Sequence, residues 1–396
     1  MFYVTVNYSF AVSRNNTFLS PNSLVKTGEI NANSLTQNAI EDIILKTVLT
    51  PYERDFINEL KTISQICLTE NLSEKELSNL LSNMETKYIR AIFIRDEDID
   101  RRLEYLNISL FPFFEKEYKK FAAYPSSHVY KKYLYSRLLA FAVSIDLRDL
   151  SATQSDDRLI KKETSYDRLA FFDEVMFSLL PEVTEDSKKI TFCDLGASFG
   201  STTVRTHREF LKRFPEMTIN TLMGELNINY YVLYDLKNNM KVFFNANKDP
   251  FVFINNNGPI PVSQAIFDHK GRNIVRSTFN NILSKLNEEV SLYQDNDFII
   301  HRLEMIDPAI KDSRDITAVK FDVKQDAVLQ FPFSDKPNVI RVANLLQYFA
   351  NEETKLKIIE NLLNLLDNKG ILMLNIDDVL EDSKFTFILK KSQSGS

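Results

Sequence analysis

Glycine is scarce in this chain, 8 of 396 residues, against an average usage of roughly 7%. Where glycine is this rare, its positions mark places where a side chain would clash or where the backbone must turn sharply. Two of the eight, Gly196 and Gly200, fall four residues apart in ITFCDLGASFGSTT (190–203), a third ends LMG (222–224) before Glu225, and a fourth opens GILML (370–374). Tryptophan is absent, so aromatic packing falls to 30 Phe and 16 Tyr. The two cysteines, Cys67 and Cys193, lie far apart, which excludes a disulfide framework and points to a reducing compartment. Cys193 sits in an apolar run and reads as a small core residue. No apolar run reaches the length of a membrane span. The first ten residues lack a basic stretch followed by an apolar one, so no signal peptide is expected and the expected location is cytoplasmic. Positive charge is not in excess: 48 Lys and Arg face 54 Asp and Glu, a net charge of −6. This argues against general nucleic-acid binding. The four histidines, His128, His207, His269 and His301, show no metal-ligand spacing, and no metal is expected. No Ser–His–Asp or Cys–His arrangement suggests itself.

What is present divides the chain in two. Residues 36–148 read as mostly helical, within an N-terminal domain over 1–150. Thr50, Pro51 and Glu53 form a helix start, with a cap, a first-turn proline and an acid in the third position. Ser73 and Glu76 form a capping box ahead of Leu77, Leu80 and Leu81. Further helices are predicted over Asp98–Tyr105, Phe111–Phe121 and Val129–Val143, the last with Leu134, Leu138 and Phe141 at helical spacing. A polar stretch, Asp149–Glu163, reads as a linker; its Lys161 and Lys162 are a solvated pair. A helix follows over Tyr166–Leu180 and ends at Pro181.

From about residue 165 to 396 short strands alternate with helices. Strands are predicted at Ile190–Asp194, Ile219–Met223, Thr317–Phe321, Val339–Ala343 and Gly370–Asn375, with Phe385–Leu389 as one more candidate. Helices are predicted at Thr202–Phe214, Asn280–Glu289 and Glu352–Leu366. This alternation predicts an α/β fold, a parallel sheet with helices on both faces. It is interrupted over about 230–277. There the turn signals NNNG (255–258) and DHKG (268–271) separate Phe251–Ile254, Gln264–Phe267 and Asn273–Val275, the pattern of an inserted β-meander.

Asp194 stands at the carboxyl end of the apolar run 190–193, ahead of the two glycines and a helix. In open α/β sheets ligands bind at that end of the strands. Glycines there let the backbone approach a ligand, and the helix start offers unpaired N–H groups. An acid in that place opposes phosphate and suits a positive group, an amine or ribose hydroxyls. The spacing Asp-x-Gly-x-x-x-Gly also differs from the dinucleotide fingerprint Gly-x-Gly-x-x-Gly, so a nicotinamide-dependent oxidoreductase is the less favoured reading.

The same spacing resembles motif I of class I S-adenosylmethionine (SAM) dependent methyltransferases, with Ser198 in place of the usual middle glycine. The resemblance extends over about residues 165–390, with the four segments in the family's order. It implies a Rossmann-like methyltransferase sheet, SAM as cofactor, and a small molecule or protein as methyl acceptor. Asp194, Gly196, Ala197, Ser198 and Gly200 would shape the methionine end of SAM. Glu225, followed by Leu226, matches the acid that holds the ribose. Asp322, followed by Val323 in AVKFDV (318–323), matches the acid near the adenine amine. Asn344 and Tyr348 in VIRVANLLQYF (339–349) would border the transferred methyl and are the catalytic candidates, Asn344 also lining the cofactor. The segment LLDNKGIL (365–372) resembles the turn into the fifth strand.

Blander readings stand beside these. Asp194 can simply cap the following helix, Glu225 can be an exposed loop acid, Asp326 competes with Asp322, and Asn344 can be a loop cap. His207 reads as a surface or helix-packing residue and His301 as a buried, hydrogen-bonded one. The aromatic run 111–124 reads as interhelical core. The helices and the meander are expected to wall the open edge where an acceptor is chosen. With no base in evidence, a catalytically inactive binding or regulatory protein of the same fold is the alternative function.

Overall fold

The computed structural model describes residues 49, 51–70, 72–90, 110–153, 167–183, 188–237, 240–255, 258–261, 280, 292–294, 297–323, 335–343, 345–346, 349, 351–378 and 383–391. Outside them lie the helix expected at Asp98–Tyr105, Lys161 and Lys162, most of Asn280–Glu289, and the meander segments Gln264–Phe267 and Asn273–Val275 with their turn 268–271. Asn344 and Tyr348 lie outside the described residues too.

The N-terminal helices are α1 (Pro51–Thr69), α2 (Glu74–Glu85, extended by a π-turn over Thr86–Arg90), α3 (110–120) and α4 (Val129–Thr153). The capping box at α2 forms as its sequence requires. Ser73 Oγ accepts the Glu76 N–H at 3.3 Å, and Glu76 Oε2 accepts the Ser73 N–H at 2.9 Å. Helix α4 runs through Thr153, past Asp149, where the linker is expected to begin; the rest of that expected linker lies outside the described residues. The stretch contains no glycine or proline and continues in helix formers such as Leu147, Arg148 and Leu150. Helix α5 (Ala170–Val183) passes Pro181 rather than ending there. The proline lies in the last turn and acts on the turn before it, where its missing N–H leaves the carbonyl four residues back without its helical partner.

Next come β1 (Lys189–Leu195), α6 (Ser201–Arg213) and β2 (Thr218–Glu225). A second sheet is then inserted: β3 (Asn229–Asp235), β4 (Met240–Phe244), β5 (Pro250–Asn255), β6 (Gly258–Pro261), β7 (Leu292–Gln294) and β8 (Phe298–Glu304). The chain returns through α7 (Pro308–Lys311), β9 (Ile316–Lys320), β10 (Val339–Ala343), α8 (Glu352–Leu365), β11 (Ile371–Asp378) and β12 (Ser383–Lys390).

The first sheet has the order β12-β11-β10-β1-β2-β9. Neighbours from β9 to β11 are parallel, and β12 closes the edge antiparallel to β11. Numbered within this sheet the order is 3-2-1-4-5-6, so the direction of winding reverses between β1 and β10. This is the Rossmann-like sheet expected from the sequence, with the Phe385–Leu389 segment as its edge strand.

The second sheet is antiparallel throughout, in the order β6-β5-β4-β3-β8-β7. Asn255 pairs with Gly258, as the turn signal requires. The insertion is larger than the expected 230–277: it runs from Asn229 to Glu304, because β8 returns to pair with β3. Its two stems meet where Met305 N–H donates to the Ile228 carbonyl at 2.8 Å.

The N-terminal helices and the second sheet share one continuous apolar core, with Phe56, Leu81, Phe114 and Phe141 meeting Phe243 and Leu303. One ion pair crosses that core. Glu53 of α1, which its sequence context marks as a helix-start acid, is fully buried and holds the ammonium of Lys241 on β4 at 3.1 Å. The first sheet has its own core on each face, around Phe192 and Phe210 on one and Leu222 and Leu372 on the other.

Candidate cofactor-binding site

The glycine turn follows the carboxyl end of β1, at the reversal between β1 and β10, where open α/β sheets take their ligands. It forms the floor of the candidate site. Gly196 has φ +71° and Gly200 φ +86°. Ser198, at the middle position, also adopts the left-handed region, at φ +56°, a conformation that costs a residue with a Cβ roughly 1–2 kcal/mol. The turn is braced on both sides: Gly196 N–H donates to the Gly224 carbonyl at 2.8 Å, and Gly200 N–H to the Ala197 carbonyl at 3.0 Å.

Glu225 ends β2 directly beside this turn. Its Oε2 accepts the Ser198 N–H at 2.6 Å and its Oε1 the Leu226 N–H at 3.0 Å. A carboxylate oxygen accepts more than one hydrogen bond, so this anchoring is compatible with ribose hydroxyls. Leu226 is 46% exposed. The Glu225 carbonyl accepts the Phe321 N–H at 3.0 Å, which brings Asp322 to the next position along the same edge. Asp322 is partly buried, and Val323 packs into the core beneath. The structure thus brings Gly196, Ala197, Ser198, Gly200, Glu225, Leu226 and Asp322 to the carboxyl ends of three adjacent strands.

Asp194 starts from the same edge, but its side chain is 1% exposed and turned into the sheet's core. Oδ1 accepts Arg341 Nε at 2.9 Å; Oδ2 accepts Arg341 Nη2 at 2.5 Å and the Thr203 hydroxyl at 2.6 Å. The other arm of Arg341 reaches Asp173 of α5 at 2.5 Å and Thr206 at 2.8 Å. Asp173 also accepts Arg205 at 2.7 Å and Thr206 at 2.9 Å. Burial pushes the Asp173 carboxyl upward, against the pull of Arg341. Burial also opposes the charge on Arg341, yet Asp194 and Asp173 outweigh it and hold the guanidinium protonated.

Arg341 carries a signal that the motif search passed over. It is a lone charge inside the apolar strand VIRVA (339–343), and a charge there demands a partner. The partner stands directly opposite, since Asp194 pairs with Arg341 in the β1–β10 register.

The glycine turn, Glu225 and Asp322 lie at the strand ends where the resemblance places the groups that hold an adenosyl ligand. Asp194, with both oxygens bonded inside the core, does not present its carboxylate to the amino-acid end of such a ligand. The floor is also partly covered: a Cβ added to Gly196 would meet the Leu345 side chain at 3.1 Å.

The described histidines lie elsewhere. His207 is buried and bonded to the Thr221 hydroxyl at 2.9 Å, the packing role its helix position predicts. His128 lies against the Phe121 and Tyr124 rings, and His269 is outside the described residues. Among the described residues no group of three His, Cys, Asp or Glu is placed to hold a metal ion, and no described helix is long and apolar enough to cross a membrane.

His301, on β8, has its pKa lowered to about 4. Burial is the main cause, Glu115 opposes it, and Lys119, Lys311 and Arg302 add to it. The unfolded chain, near the ordinary 6.5, therefore takes up this proton first as pH falls. The neutral imidazole stabilises the fold above about pH 6.5, and that contribution is lost on the way down to about pH 4. Urea unfolding should show His301→Asn losing less stability than the wild type between pH 7 and 5, by on the order of 2 kcal/mol. Parallel curves for the two proteins would contradict the assignment.

No protein-family model and no curated protein matches the chain. Among solved structures it is similar to a Listeria monocytogenes protein assigned to the class I S-adenosylmethionine-dependent methyltransferases, at 9% identity over 87% of this chain and 89% of that one, with a TM-score of 0.32. It is similar to an O-methyltransferase family protein from Burkholderia thailandensis, at 10% identity over 87% and 81%, TM-score 0.25. It is also similar to the N-methyltransferase NodS from Bradyrhizobium japonicum, in complex with S-adenosyl-L-homocysteine, at 14% identity over 58% and 71%, TM-score 0.23. The strand order and the reversal at β1 and β10, rather than these distant likenesses, give the chain its description: it has a Rossmann-like, doubly wound α/β sheet closed by an antiparallel edge strand.

Proposed function

We propose that the chain is a SAM-dependent methyltransferase acting on a small-molecule or protein acceptor. One observation carries this reading: a turn with three residues at positive φ lies at the sheet's reversal point and is bonded through Ser198 to the acid that ends the neighbouring strand. Bound SAM would supply an activated methyl group; the protein's part is to hold and orient it. In this proposal Gly196, Ala197, Ser198 and Gly200 line the amino-acid end, Glu225 with Leu226 holds the ribose, and Asp322 with Val323 faces the adenine. Asn344 and Tyr348 border the methyl. Asp194 serves by bracing the turn from below through Thr203 and Arg341. The N-terminal region 1–150 and the insertion form a cap on the 165–396 sheet unit and select the acceptor. The proposed setting is cytoplasmic, without general nucleic-acid binding.

The engaged Asp194 and the Leu345 side chain over Gly196 favour a second reading, a non-catalytic member of the fold that keeps a ligand for binding or regulation. Thermal unfolding with S-adenosyl-L-homocysteine (SAH) tests both at their shared step. SAH should raise the midpoint, NADH should not, and Glu225→Gln should abolish the rise, with a lower ligand-free midpoint because the amide can accept only one of the two backbone N–H groups that the carboxylate holds. No shift at millimolar SAH would refute the cofactor reading. Radiolabelled methyl transfer to a lysate component then separates an enzyme from a binding protein.

A further inference from the structure

The fourth residue of the glycine turn is not packed in the core of the sheet that carries it. Phe199 is 2% exposed, and its ring lies in the core shared by the N-terminal helices and the second sheet. Tyr135 of α4 is its ring neighbour at 6.5 Å. The backbone at the same residue is held from the same side, since the Phe199 carbonyl accepts the Asp307 N–H at 2.8 Å. Asp307 heads α7 and is 1% exposed. Its Oδ1 accepts the Ala309 N–H at 2.8 Å, and its Oδ2 accepts the Tyr135 hydroxyl at 2.5 Å.

Burial raises the Asp307 pKa; the Tyr135 hydroxyl, the Ala309 N–H, Arg208 and Lys311 oppose that rise. Tyr118 of α3 faces the same carboxylate, and its phenol is pushed up to about 12 by burial and by Asp307. Two hydrogen bonds joined through one residue therefore link α4 to the turn: Asp307 takes the Tyr135 hydroxyl on its side chain and gives its backbone N–H to Phe199.

The turn needs such support. Three of its five residues hold left-handed backbone, one of them a serine, and strained backbone persists only where its surroundings over-determine it. Apolar packing alone would be served by phenylalanine at 135; the hydroxyl adds a directed bond to Asp307. We propose that Tyr135 is a positioning residue for the glycine turn. Its hydroxyl fixes Asp307, Asp307 fixes the Phe199 carbonyl, and the N-terminal helices thereby set the geometry of 196–200. Its effect on cofactor binding rests on the reading of that turn as the SAM site.

The test compares the wild type with Tyr135→Phe and with Tyr130→Phe. The second removes a fully buried hydroxyl, bonded to the Leu60 carbonyl in the same helical core, but away from the turn. Without ligand, amide hydrogen exchange over 196–204 should quicken roughly tenfold in Tyr135→Phe alone, the worth of one hydrogen bond to a charged group. Calorimetry should show SAH binding weakened by roughly the same factor. Unchanged exchange in Tyr135→Phe, or an equal change in Tyr130→Phe, overturns the clamp whatever the ligand does. If the wild type fails to bind SAH, the cofactor reading falls, and the clamp's role in binding falls with it, even where the exchange difference is present.

Discussion

Replacing Arg341 by methionine is expected to destabilise the fold by about 3–5 kcal/mol, the usual cost of stripping one partner from a buried charge pair. The side chain is fully buried and answers two carboxylates from different elements, Asp194 of β1 and Asp173 of α5. Methionine fills much of the volume but leaves both acids to Thr203, Thr206 and Arg205. Asp194, with only a threonine hydroxyl left, must protonate or draw water into the core. Urea unfolding measures the loss. A second variant separates charge from shape. Arg341→Met combined with Asp194→Leu removes the stranded acid, so it should recover part of the stability, since apolar replacements of a buried pair are often neutral or better. If the single variant costs under about 1 kcal/mol, the network is not the brace described here. The double variant also bears on function: Asp194 is proposed to act from below the turn, so it should weaken SAH binding less than Glu225→Gln does.

That network shows how far a sequence can be read and where it stops. The strands of the first sheet were readable because each is a short apolar run bounded by a turn or a helix start, and the observed bounds differ from the expected ones by at most a few residues. The glycine turn was readable because glycine is so rare. Asp194 was read as a group facing a ligand because its place along the chain, at the end of a strand before two glycines, is that of a site residue. Which way its side chain turns is decided by Arg341, 147 positions later, and local pattern carries no such pairing. Glu53 repeats the lesson: its helix-start position says nothing of its burial, which Lys241 on a distant strand accounts for. The insertion was underestimated for a related reason. Phe298–Glu304 mixes apolar residues with His301 and Arg302, and its identity as a strand comes from pairing with β3 rather than from its own alternation.

Gly200→Ala is expected to cost about 2–4 kcal/mol, combining the left-handed backbone penalty with overpacking. At φ +86° any Cβ is strained, and at this site it would also come within 2.6 Å of both Met223 Sδ and Ile310 Cδ1. Both are ends of flexible side chains, so the contact can be relieved, but only by displacement. Met223 belongs to β2, two residues before Glu225. Ile310 belongs to α7, whose cap Asp307 holds the Phe199 carbonyl. Relief of the clash therefore moves the two elements that brace the turn, and SAH affinity should fall together with stability. Ser198→Gly provides the opposite case: it removes a Cβ from left-handed backbone at φ +56° and should leave stability within about 1 kcal/mol of the wild type, strain relief offsetting the added freedom of the unfolded chain. Urea unfolding and calorimetry on the two variants give the comparison. A Gly200→Ala protein as stable as the wild type would mean that the turn relaxes freely, and the rigid floor on which the cofactor reading depends would be gone.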